Sequence, residues 1–127
     1  MSITIGSHGL IEEEIVWKVA QGADARATFT LWEDVDRTTP TDLTGFTGAC
    51  QVRAKLGGAL LGTAIVTVGE AAGTVDVHLP AAASTAWSPR QVIAVFDVEL
   101  TAPGGAVTRL CSGSLDVLPN ATTGDLT

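Results

Sequence analysis

The chain alternates. Ala25, Ala27, Phe29 and Leu31 take turns with Arg26, Thr28 and Thr30, and Cys50, Val52 and Ala54 with Gln51, Arg53 and Lys55. Val75, Val77 and Leu79 are interleaved with Thr74, Asp76 and His78, and Phe96, Val98 and Leu100 with Asp97, Glu99 and Thr101. A period of two puts one set of side chains on a buried face and the other in water, so each run predicts a half-buried β-strand. Weaker, β-branched stretches at 15–19 (around Trp17), 64–68 and 107–117 predict three more, about seven strands in all. Turn-forming residues separate them: Asp, Pro, Thr and Gly across 34–45, a glycine closing 69–73, and Ala102-Pro103-Gly104-Gly105, which predicts a hairpin.

One stretch breaks the pattern. Pro80 opens an alanine-rich run that Pro89 closes, which predicts a single short helical turn capping one end of the domain. With no helices between the strands, the order of elements points to an all-β sandwich or barrel of antiparallel strands. The expected organisation is an N-terminal arm over 1–14, a β-sandwich domain over 15–118 and a flexible C-terminal tail over 119–127.

Composition narrows the class. The 127 residues are 46% hydrophobic and 17% charged, enough for a folded core and too interrupted for a membrane-spanning helix. The net charge of −7 opposes a nucleic-acid partner, since phosphate binding needs clustered lysine and arginine, and here the basic residues are scattered. The first residues lack a basic leader and an apolar core, so folding in the cytoplasm is expected, with Cys50 and Cys111 as buried free thiols and not an inter-sheet disulfide.

Candidate chemistry is sparse. His8 lies in a Gly-Ser-His-Gly segment and His78 on the wet phase of its strand, so they predict no zinc site. Glu12, Glu13 and Glu14, and Glu33, Asp34 and Asp36, offer oxygen ligands without the spacing of a calcium loop and read as solvated charge. Ser112-Gly113-Ser114 is not a nucleophile elbow, and Gly57-Gly58 with Gly62 is not followed by the Lys-Ser or Lys-Thr of a phosphate loop. No catalytic residue, cofactor or metal is expected. Trp17 reads as core, whereas Trp32, on the polar phase, is a candidate contact residue. The terminal apolar residues Leu10, Ile11, Leu118 and Leu126 are candidate partner contacts as well.

The segment from Gln21 through Asp24 to Trp32, with its turn before an alternating threonine and aromatic strand, resembles the immunoglobulin-like N-terminal domain of tailed-phage baseplate and fibre-attachment proteins. Asp42-Leu43-Thr44-Gly45 and the strand to Arg53 look like that family's loop and next strand, and the segments Val95 to Thr101 and Leu110 to Val117 resemble its closing hairpin. The chain departs from the pattern where Ala23 intervenes between Gly22 and Asp24, and in having no fibre or coiled-coil segment after the domain. The resemblance implies an immunoglobulin-like β-sandwich in a structural protein of the virion, assembled in the host cytoplasm and repeated in several copies. Its partners would be other virion proteins and copies of itself, with no nucleic acid, membrane or small-molecule substrate. A tail or baseplate adaptor docking through loops, strand edge and termini is the leading expectation. A capsid decoration or head-fibre protein and a carbohydrate-binding module, the latter resting on Trp32, are the alternatives.

Overall fold

A computed structural model describes residues 2–5, 14–34, 36–85, 87 and 93–118. The chain is almost entirely β: β1 (Ser2–Ile5), β2 (Glu14–Ala20), β3 (Ala25–Leu31), β4 (Thr47–Arg53), β5 (Leu60–Gly69), β6 (Thr74–Leu79), β7 (Ile93–Thr101) and β8 (Val107–Leu118), with one short helix, α1 (Ala81–Thr85). The strands form one mixed sheet in the order β1-β3-β6-β5-β4-β7-β8-β2, nearly closed and barrel-like. All seven predicted strands are present, and the predicted helical turn is α1. Pro89 and the tail over 119–127 lie outside the described residues.

Three features differ from the sequence expectation. Residues 2–5, read as part of an arm, pair with β3 from Ser2↔Thr28 to Ile5↔Leu31. That pairing is parallel, as is β2 on β8, so the sheet is mixed where an antiparallel one was expected. A four-residue strand has too short a pattern to be told from an irregular segment by periodicity. β5 is longer than predicted: its first half pairs with β4 (Gln51↔Thr63, Cys50↔Ala64) and its second half with β6 (Val66↔Val77, Val68↔Val75), so it links the two halves of the sheet.

The core is made by the inward phase of β2 to β8. Phe29, Val52, Val75, Val77, Leu79, Val98 and Leu115 are fully buried, as alternation requires. Trp17 on β2 meets Phe96 on β7 edge to face, centroids 5.5 Å apart and planes at 66°, a geometry worth about 1 kcal/mol beyond the area it buries. The inward phase fails once, on β8, where consecutive Leu110 and Cys111 are both buried. Val98 pairs with Cys111 but Glu99 with Arg109, so Leu110 is the extra residue of a β-bulge, which turns two neighbours to the same side.

One end of the barrel is closed by α1 and Trp87. The Trp87 indole N–H donates to the Leu61 carbonyl at 3.0 Å, and the Gln21 amide donates to the Trp87 carbonyl at 3.0 Å. The Ser84 hydroxyl, fully buried, accepts the Gly22 backbone N–H at 2.9 Å. The cap thus ties β5 to the β2–β3 turn. Near the other end, Gly73 packs under the 34–45 loop with φ at +65° and its carbonyl accepting the Leu31 N–H. A Cβ there would stand 2.7 Å from the Leu31 oxygen and 2.9 Å from that of Thr41, so only glycine fits.

Candidate functional site

The outward phase of β4, β7 and β8 forms a groove, and the fold builds it row by row. Gln51 on β4, Asp97 on β7 and Ser112 on β8 stand abreast in one row. Ala49, Glu99 and Arg109 make the next, and Arg53 stands beside Val95 on the other side. The Lys55–Gly58 turn between β4 and β5 rises beside these rows and is braced from below, since the Arg53 guanidinium donates to the Gly58 carbonyl at 3.0 Å and to Gln51 Oε1 at 3.1 Å. The turn carries Leu56, 87% exposed, along one wall of the groove. The groove's volume is about 440 Å³.

The groove's charges balance. Arg53 and Arg109 face Asp97 and Glu99, so a chain of net charge −7 has a locally neutral depression. Arg109 Nε and Asp97 Oδ2 stand 3.9 Å apart, too far for a hydrogen bond, which leaves both able to engage another group.

A second feature of the same sheet lies along its β2 edge. Val16 (51% exposed), Ile93 (59%) and Leu118 (50%) stand on the outer face of β2, β7 and β8, interrupted by Lys18 and Asp116. The registers put them in three different rows, Val16 with Ser114, Ile93 with Asp116 and Lys18, and Leu118 with Ala20, so Leu118, a predicted partner contact, is an exposed apolar residue and not part of a continuous apolar row. Trp32, the other described candidate, is half-buried just beyond β3, where its backbone bridges to Pro40, and does not adjoin the groove. Leu10, Ile11 and Leu126 lie outside the described residues. Alternation alone assigns Gln51, Arg53, Asp97 and Glu99 to the wet face, without marking them as one site.

The remaining polar candidates are committed to local structure. His78 Nε2 lies 2.9 Å from Asp24 Oδ1, which also accepts the Ala81 backbone N–H at 3.1 Å. The His78 hydrogen bond, helped by that of Ala81, holds the Asp24 carboxyl below its usual range. Asp34 is held low by its bond from the Thr38 hydroxyl, followed by the Thr39 N–H, so its oxygens close the 34–39 turn. Asp42 is held low in the same way by the hydroxyl and N–H of Thr44. Among the described residues no three His, Cys, Asp or Glu side chains gather as a metal site. His8, Glu12 and Glu13 lie outside the described residues.

Cys50 and Cys111 are free and buried. Both face inward from the same run of sheet, on either side of Val98, so two strand spacings of about 4.8 Å separate their backbones, beyond disulfide reach. Desolvation, with the nearby Asp97 charge, pushes each thiol up to about 12. Such thiols are poor nucleophiles. No known protein-family model matches the chain, and no curated protein resembles it significantly.

Proposed function

We propose that the chain is a non-enzymatic structural subunit of a tailed-phage virion, an immunoglobulin-like sandwich that docks on neighbouring subunits through its β2 edge and termini. The finer fold reading is supported by the pairing order. β3-β6-β5 and β4-β7-β8 follow the B-E-D and C-F-G arrangement of immunoglobulin-type domains. The virion reading rests on the resemblance of the 21–32, 42–53 and 95–117 segments.

The observation that carries the docking role is the position of β2 at the end of the strand order, with exposed Val16 on it and exposed Leu118 on the neighbouring β8. An edge strand with exposed aliphatic side chains near it is a common basis for protein association, through apolar burial and strand addition. A tail or baseplate position is the leading form of the proposal. Immunogold labelling of purified particles tests it: label confined to the tail supports an adaptor, label over the head makes the subunit a decoration protein, and unlabelled particles refute the virion assignment. Val16→Asp with Leu118→Asp should abolish incorporation while leaving the purified domain folded.

A further inference from the structure

The groove over β4, β7 and β8 has a chemistry that the docking role does not use. Its polar side chains alternate donors with acceptors: Arg53, Gln51, Asp97, Glu99, Arg109 and Ser112. The two arginines and two carboxylates cancel, so neither an anion nor a cation gains from entering. A neutral molecule whose every polar group both donates and accepts is served by all of them. Hydroxyl pairs on a sugar ring have this property, each accepting from a guanidinium or amide and donating to a carboxylate.

We infer that this groove is a binding site for a neutral saccharide. Four further observations agree with that class of ligand. β4 and β7 are paired on both sides and β8 lies between β7 and β2, so no backbone edge opens into the groove and recognition must come from side chains, which disfavours an added peptide strand. The Arg53 guanidinium is already held by Gly58 and Gln51, so it is oriented before a ligand arrives and little order is lost on binding. Leu56, exposed at a turn tip, offers the apolar wall against which the C–H face of a pyranose packs. The volume of about 440 Å³ falls in the range of small-ligand pockets, roughly 300–1,000 Å³.

This inference does not rest on the virion proposal, and it differs from the aromatic-platform site that Trp32 suggested from sequence. Without a stacking aromatic, affinity is expected in the millimolar range. The test is a ¹⁵N-HSQC titration of the full chain with glucose, galactose, mannose, N-acetylglucosamine and their disaccharides, each to about 20 mM, where a millimolar ligand fills most sites. The expected result is saturable shifts at Gln51, Arg53, Leu56, Asp97, Glu99 and Arg109. Tighter binding of a disaccharide than of its monomer would identify a glycan chain as the natural source, and equal binding a free sugar. Asp97→Asn and Glu99→Gln should each weaken binding by about tenfold or more, with the fold checked by the unshifted amides of β3 and β6. Silence from every saccharide overturns the inference, as do shifts confined to surfaces outside the groove. Binding of an Arg-Glu dipeptide in the groove with the saccharides silent overturns the neutral-ligand class.

Discussion

Replacing Gly113 by alanine should pry the first half of β2 away from β8. Gly113 lies on the inward phase of β8, opposite Ile15 of β2, and a Cβ built on it would stand 1.8 Å from the Ile15 carbonyl oxygen and 2.7 Å from the Ile15 carbonyl carbon and nitrogen. These are backbone atoms, so no rotamer relieves the overlap. A carbon needs about 3.3 Å from a carbonyl oxygen, so β2 must move out by about 1.5 Å. Ladder bonds near 2.9 Å do not survive such a shift. The parallel register from Glu14↔Ser112 to Ala20↔Leu118 is then lost around its first turns, and Trp17 and Val19, both buried, open toward water.

Removing a buried tryptophan outright costs about 3–5 kcal/mol, and partial peeling of Trp17 with the lost strand pairing should reach about 3 kcal/mol. In a domain of this length that lowers Tm by about 12 °C. Thermal unfolding followed by circular dichroism measures the loss, and hydrogen exchange locates it, with the β2 amides losing protection before those of β3 and β6. Gly104→Ala is the control. Its Cβ meets nothing within 4 Å and its φ is not positive, so Tm should stay the same or rise slightly through the stiffer unfolded chain. A Gly113→Ala protein within about 3 °C of the parent would refute the close β2–β8 approach.

Three other outcomes follow from particular side chains. Cys50 and Cys111 keep their protons to about 12 in the fold while unfolded thiols ionise near 8.5, so urea midpoints should fall as pH rises from about 9 to 11, by at most about 1.4 kcal/mol per pH unit per thiol; the double alanine variant should lose that slope. Asp24→Asn should narrow the acid limb of stability. The parent's contribution is present above the ordinary carboxylate range and disappears as pH falls through the lowered folded value, so urea midpoints of the two proteins should converge as pH falls below that range. Trp87→Phe removes the donor to the Leu61 carbonyl and should cost about 1–3 kcal/mol in denaturant unfolding, with the loss of exchange protection concentrated in α1.

Much of this architecture can be read from local pattern, because the strand period is a property of neighbours in sequence. Ala25–Leu31 and Thr74–Leu79 alternate without interruption, and the structure pairs them residue for residue from Ala25↔Leu79 to Thr30↔Thr74. β8, one of three weakly patterned strands, reads weakly for a physical reason: the bulge at Leu110 shifts the phase, so a single alternating template cannot fit both Arg109 and Asp116 to the outer face. β1 escaped because a four-residue strand depends on β3 for its identity. The groove is illegible for a different reason. Alternation assigns Gln51, Asp97 and Ser112 to water one by one, but which of them stand abreast depends on the β4–β7 and β7–β8 registers, set by long-range packing. A one-residue slip of β7 would turn Asp97 inward against Cys50 and Cys111 and bring Phe96 and Val98 to the surface. The inward demand of Phe96 and Val98 therefore holds Asp97 and Glu99 between the two arginines, and the buried face of β7 determines the chemistry of its exposed face.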